Sequence, residues 1–382
     1  MSTASAPFNL RRFLLSGEGW PYLLVPFIPI AIVLNAANVD ALLVFTASVL
    51  GVVPTAALMG KATDELAHRS GPGIGGLLNV TFGNAPELII ALFALHEGLQ
   101  EVVKASLVGS ILGNLLLVMG ASMLIGGWNR ERQKFVAEAA STQSTLLLLA
   151  CVALVLPALF QLSLGGGLPS PTEERHRFSS ELQTMSVGVS IVLLFSYAAG
   201  LFFSLKTHRD IFNPDMDSPD DEEGEERAEP WTVRRAVMWL AIAGVAVGFM
   251  SEILVGSIEE ASARIGLSPF FVSLIVVAIA GNAAEHWVAV YFAARNKLDL
   301  SVAIAIGSSA QIALFVFPVL VLSSFVLGPF PMALELNGLE LGSIVLAVLI
   351  ATHVTHEGYS TWFEGLQLLA VYVVLGIVFF FV

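Results

Sequence analysis

The sequence predicts an all-α integral membrane protein of about 11 transmembrane helices built as an inverted repeat, and three observations carry that prediction. Of 382 residues, 56% are hydrophobic and only 13% charged, with a mean hydropathy of +0.80. A soluble chain of this length has more polar surface to cover, so most of this one faces lipid or other helices. Its basic residues fall mostly on alternate connections. And a G-N-x-x-E pentapeptide occurs twice inside long apolar stretches, as Gly83-Asn84-Ala85-Pro86-Glu87 and as Gly281-Asn282-Ala283-Ala284-Glu285.

A helix needs about 20 apolar residues to cross the hydrocarbon core. Spans are expected near 21–37, 39–60, 75–96, 103–127, 142–164, 183–205, 235–257, 268–293, 299–326, 340–357 and 363–382. His353, His356 and Glu357 crowd the end of the tenth. Residues 1–20 place Arg11 and Arg12 before the first span, with no A-x-A-like cleavage site after it, so that span is expected to be retained.

With the N-terminus in the cytoplasm, 14 of the 18 Lys and Arg fall on inner segments and 4 (Lys104, Arg175, Arg177 and Arg264) on outer ones. This bias follows the positive-inside rule and places the C-terminus outside. The net charge of −13 is concentrated in a polar break at 207–234 that includes Asp220-Asp221-Glu222-Glu223. Such acid density resists packing, so 207–234 is expected to be a solvated cytoplasmic linker, with cation collection or regulation as the sharper alternative. No basic patch suggests nucleic acid. The one cysteine, Cys151, permits no disulfide within a single chain.

The halves align. Gly83-Asn84 matches Gly281-Asn282, and Gly109-Ser110 matches Gly307-Ser308, both at an offset of 198. Matching helices are an odd number of crossings apart, so the halves insert in opposite directions, as in many secondary transporters whose site lies at the repeat interface. The expected units are an N-terminal segment and first helix (1–38), a first repeat (39–206), the linker (207–234) and a second repeat (235–382).

A glutamate at membrane depth is costly, and here it is duplicated. If a two-fold axis relates the halves, Glu87 and Glu285 approach it together. Two ionised carboxylates in a dry interior repel and lose hydration; a divalent cation between them relieves this, and so do protons. The two occupants exclude each other, which is the physical basis of cation/proton exchange. Asn84 and Asn282 precede the acids by three residues and share their helix faces. Their amide oxygens are hard neutral donors suited to Ca²⁺, or alternatively interhelical glue. Ser110 with Asn114, and Ser308 with Gln311, either complete the site or orient the carboxylates. Gly109, Gly113 and Gly307 read as close-packing positions. An all-oxygen set favours Ca²⁺ (or Mn²⁺) over softer metals. His286 points roughly 100° around the helix from Glu285, and is either a proton tuner or a packing residue. No H-E-x-x-H, phosphate loop or nucleophile arrangement is recognisable, so no enzyme activity and no cofactor are expected.

These residues resemble the cation/proton exchanger family of the calcium/cation antiporter superfamily. The paired G-N-x-x-E segments carry the likeness. So do Gly71 to Glu87, G-S-x-L-G-N at 109–114, G-S-S-A-Q at 307–311 and Ser360-Thr361-Trp362-Phe363-Glu364-Gly365. The resemblance covers about 39–382 and implies one N-terminal helix followed by two inverted five-helix repeats. It implies midplane glutamates that exchange Ca²⁺ for H⁺ by alternating access. The supporting roles fall on Asn84, Ser110, Asn114, Asn282, Ser308 and Gln311. Pro86 departs from the pattern of many members and leaves the local helix break open. The expected partners are Ca²⁺, H⁺ and the lipid bilayer, in a prokaryotic inner membrane, with an organellar membrane and a homo-oligomer left open. A Na⁺/Ca²⁺ exchanger of the same superfamily is the nearest rival; a cation channel is a more distant one.

Overall fold

A computed structural model describes residues 19–163, 167–170, 179–208 and 231–382, without the side chains of 71–74, 76, 77, 79 and 80. Nearly all of the acidic segment, together with Arg11, Arg12, Arg175, Arg177, Arg209 and Arg227, lies outside the described residues.

The chain is mostly helical. A 3₁₀ turn at Trp20–Leu24 leads into α1 (Phe27–Ala36). Then come α2 (Ala41–Gly83), α3 (Ala85–His96), α4 (Gln100–Gly127), α5 (Ala137–Ser163) and α6 (Ser180–Thr207). After the linker follow α7 (Val233–Ile265), α8 (Pro269–Ala294), α9 (Leu298–Ser323), α10 (Gly338–Val354) and α11 (Trp362–Phe380). Among the described residues, eight helices are long and apolar enough to cross a membrane. Val33, Phe195, Val245, Val373 and Phe381 stand exposed on the outside, the arrangement expected where hydrocarbon is the solvent.

Local chemistry sets the boundaries. Asp40 caps α2 by accepting from Leu42 N at 3.0 Å. Thr232 caps α7 through Arg235 N at 3.3 Å, and Ser268 caps α8 through Phe271 N at 3.2 Å. These side chains satisfy donors that every helix start leaves open. Gly266, at φ +71°, ends α7 in a left-handed conformation that glycine adopts without strain. Glu364 accepts from Thr361 N at 2.7 Å and starts α11.

Three expectations are corrected. The sequence left residues 61–74 as a loop, yet the helical run of α2 continues through them to Gly83. It does not run straight: a Cβ on Gly75 would strike the carbonyl of Ala67, whereas eight residues of straight helix span about 12 Å. The run therefore folds back on itself between them. Lys104, counted as an outer-segment cation, lies fully buried inside α4 and contacts Glu101 at 2.7 Å. And α10 ends at Val354, before His356 and Glu357.

The connections sort into two ends. At the linker end, Trp231 N donates to Glu65 Oε2 at 2.9 Å and Arg69 Nε donates to Trp231 O at 3.2 Å. There β1 (Gln133–Lys134) also pairs antiparallel with β2 (Tyr359–Ser360). Gln133 Nε2 reaches Ala293 O at 3.0 Å. At the far end, Arg264 meets Asp40 at 3.3 Å and Gln100 Nε2 donates to Phe330 O at 2.9 Å. Between the ends, α2 and α7 pack along each other, and α3, α4, α8 and α9 converge on the core.

Candidate functional site: the meeting of the two G-N-x-x-E motifs

Each motif is built differently. In the first, the helix breaks: Asn84 (φ −99°, ψ 23°) separates α2 from α3, and Pro86 occupies the first turn of α3. Proline is tolerated there because that N–H has no intrahelical partner to lose. Glu87 thus sits in the first turn, where the helix dipole favours an anion. In the second, the helix runs through Asn282 and Glu285 without a break, preceded by a π-helical turn at Ser273–Val277. The break that the sequence left open occurs at Asn84, just before Pro86, and not in the second motif.

The acids cross over. Glu87 Oε1 lies 3.4 Å from where a Cβ of Gly281 would stand. Glu285 Oε1 lies 3.9 Å from the same position on Gly83. Each carboxyl therefore rests on the glycine of the other motif, and the negative charge of Glu285 acts on Glu87. Glu87 is buried and Glu285 only partly so.

The amides cross over as well. Ser308 Oγ donates to Asn84 Oδ1 at 2.8 Å, and Asn84 Nδ2 donates to Gln311 Oε1 at 2.5 Å. Asn282 Nδ2 donates to Ser110 Oγ at 3.0 Å and to Ala278 O at 2.9 Å. In both pairs an asparagine of one half meets the G-S serine of the other. Two buried oxygens at this junction, Glu87 Oε2 and Asn282 Oδ1, have no hydrogen-bond partner. Native interiors rarely leave such acceptors open without a reason. Among the described residues no group of three or more His, Cys, Asp and Glu side chains is placed to hold a metal. The junction offers two carboxylates with neutral amide and hydroxyl oxygens.

Asn114 is drawn elsewhere. Its Oδ1 lies 3.0 Å from His286 Nε2, so it engages the histidine rather than a carboxylate. The 100° offset of His286 from Glu285 turns the ring toward α4, where it lies 3.8 Å from a would-be Cβ of Gly113. The structure thus gathers Glu87, Glu285, Asn84, Asn282, Ser110, Ser308 and Gln311 at one junction, with Asn114 and His286 as a pair beside it.

Sequence reasoning missed the π-helical turns at Gly113–Val118 in α4 and Ile312–Val316 in α9. They begin three residues after Ser110 and four after Ser308, and Asn114 and Ile312 stand at the same 198-residue offset. π turns of this kind recur at functional sites. The only sequence trace is the offset itself.

A profile of the sodium/calcium exchanger protein family matches residues 41–206 and 235–381. The Ca²⁺/H⁺ antiporter of Aphanothece halophytica is 41% identical over 366 residues, covering 94% of this chain and 95% of its own. Vacuolar cation/proton exchanger 1a of Oryza sativa is 41% identical over 361 residues, covering 94% of this chain and 79% of its own. The solved structure of native YfkE superposes with a TM-score of 0.78 at 37% identity, covering 95% of this chain and all of that one. The chain belongs to the sodium/calcium exchanger protein family and, within it, to the cation/proton exchangers.

Proposed function

We propose that this protein is a secondary active transporter that exchanges Ca²⁺ for H⁺ across a membrane by alternating access. The reciprocal seating of Glu87 on Gly281 and Glu285 on Gly83 carries the reading. Two like charges brought together in a low-dielectric site each resist ionisation. A divalent cation offsets both charges at once and accepts hard oxygen ligands. Protons remove the charges instead. Because one site cannot hold both occupants, cation leaves as protons enter. Asn84, Asn282, Ser110, Ser308 and Gln311 supply or orient neutral oxygens, and the Asn114–His286 pair adjusts the neighbouring turn. The names borne by the 41%-identical relatives agree with this chemistry.

The architecture we infer is one N-terminal helix and two inverted five-helix repeats, 39–206 and 235–382, joined by the 207–234 linker. Eight long and three shorter apolar helices support a count of eleven. The crossed Asn–Ser pairs and the offset π turns support the repeat. The basic residues support a cytoplasmic N-terminus and an outer C-terminus. Bacterial and plant vacuolar relatives leave both a plasma membrane and an organellar one in view.

The test is ⁴⁵Ca²⁺ flux in proteoliposomes of the purified protein. Uptake driven by a pH gradient without Na⁺ supports exchange for protons. Uptake that needs Na⁺ and ignores a collapsed pH gradient assigns the protein to Na⁺/Ca²⁺ exchange, and flux without coupling to either ion assigns it to a channel.

A further inference from the structure

One glutamate inside a membrane span takes no part in the exchange pair. Glu252 lies on α7, five residues and about 8 Å inside the expected end of that span at 257. It stands twelve residues, about 18 Å, short of Arg264, which meets Asp40 at the far end. Packing gives its depth relative to the exchange pair. Ala243 and Val247 form one apolar cluster with Ala85, and Ile89 packs against it, so α7 passes the first motif at that level. Glu252 is therefore about 8 Å beyond the motif, toward the far end.

Glu252 is exposed, and no hydrogen bond or ion pair engages it among the described residues. Around α7 it stands about 40° from Gly248 and about 20° from Val245. Val245 and Phe249 are more than half exposed and form the stripe that hydrocarbon covers. Gly248 faces α3: the tip of the Phe93 ring lies 3.7 Å from where its Cβ would stand. Glu252 thus borders the seam between α7 and α3. A carboxylate at membrane depth costs several kcal/mol unless water or a partner offsets it. The described residues offer no partner, and a glutamate is too short to snorkel about 8 Å to the surface as Lys and Arg do. Water entering the seam from the far end is what remains. Below Glu252 the seam is apolar. Phe93 covers Gly248, Ile89 and Ala85 meet Val247, and Glu87 lies buried within the same turns of α3.

We propose that the far-end route to Glu87 follows the α3–α7 seam, that Glu252 is the hydrated carboxylate at its mouth, and that Phe93 on Gly248 closes it in this conformation. Glu252 is a positioning residue: its charge concentrates Ca²⁺ and H⁺ at the mouth, outside the exchange pair. This role presupposes exchange at Glu87 and Glu285.

The chain's one cysteine, Cys151, is buried, so Cys151→Ala gives a thiol-free parent for single cysteines. These are treated in proteoliposomes with a charged thiol reagent on both sides of the bilayer. Glu252→Cys is expected to react at least about tenfold faster than Phe249→Cys on the hydrocarbon stripe. Equal rates, or no reaction at Glu252→Cys, overturn the proposal. Gly248→Cys is expected to resist the reagent until Phe93→Ala is added; reaction without that change, or none with it, overturns the closure. With Ca²⁺ presented at the far end, Glu252→Gln is expected to raise the half-saturating concentration for flux about fivefold at unchanged maximal rate, and Glu252→Asp to restore it. An unchanged half-saturating concentration removes Glu252 from the route. Labelling needs no transport, so a parent that moves no Ca²⁺ overturns exchange at Glu87 and Glu285, while the labelling still decides whether the seam holds water.

Discussion

The carboxyl of Glu87 rests on Gly281, 3.4 Å from the point where any other residue would carry its Cβ. Glycine there keeps room for an occupant beside the acid. Gly281→Val is therefore expected to lower Ca²⁺/H⁺ exchange at least tenfold, about 1.4 kcal/mol in cation binding, with the melting temperature nearly unchanged. Gly83→Val is expected to do the same through Glu285. Vesicle flux read beside a thermal melt checks both; a collapse of the melt would make the glycines packing residues instead.

One fixed negative charge does not offset a divalent ion. Glu87→Gln and Glu285→Gln keep side-chain shape and remove one charge each. Each is expected to weaken Ca²⁺ binding about a hundredfold, close to 2.7 kcal/mol, and to abolish Ca²⁺-driven proton movement. Near-normal transport by either variant removes that residue from the site.

The crossed amide pairs predict paired effects. Ser308→Ala takes a hydroxyl from Asn84, and Ser110→Ala takes the acceptor from Asn282. A hydrogen bond of this kind is worth about 1 kcal/mol, so each variant is expected to raise the half-saturating Ca²⁺ concentration about fivefold. Double-mutant cycles with Asn84→Ala and Asn282→Ala should give coupling energies of the same sign and similar size. Coupling in one pair only would break the equivalence of the halves.

Protons and Ca²⁺ compete for the same oxygens, which fixes the sign of the pH effect. Lowering the pH fills the carboxyls with protons, so the apparent Ca²⁺ affinity falls, and more Ca²⁺ restores full binding. Affinity rises with pH until both acids are ionised and then levels off. A pH effect on the maximal amount bound, at constant affinity, contradicts competition.

Gly109 tests the packing of α4 on α8. A Cβ there would strike the carbonyl of Leu274 and lie 2.9 Å from Cβ of Ala278. Overpacking of this kind costs about 1–3 kcal/mol, so Gly109→Ala is expected to lower the melting temperature in detergent. An unchanged melt would show that α4 and α8 part without cost.

Much of this was legible because the chain states it twice. The duplicated pentapeptide named the acids, and the shared 198-residue offset named the serines that bond the opposite asparagines. Hydropathy located the long spans, since twenty apolar residues have few other uses. Other features left no such mark. Lys61 to Ser70 holds no glycine or proline, so the helix continues past its polar residues as far as Ser70, and the run folds back only around Gly71-Pro72-Gly73. Pro86 is compatible with a helix interior kink or a helix start, and only Asn84's backbone decides for the start. The partner of His286 depends on how α4 and α8 lie against each other. Glu101, Lys104, Glu335 and Glu340 sit near span ends, where charge usually means solvent, yet the fold buries all four.

The central claim is that Glu87 and Glu285 form one site that trades protons for a cation. Ca²⁺ titration of the purified protein, with proton release followed in lightly buffered solution, tests it most directly. Saturable binding with protons released in step, and loss of both signals in Glu87→Gln and in Glu285→Gln, is the predicted result. Ca²⁺ binding without proton release, or binding that survives either substitution, would contradict it.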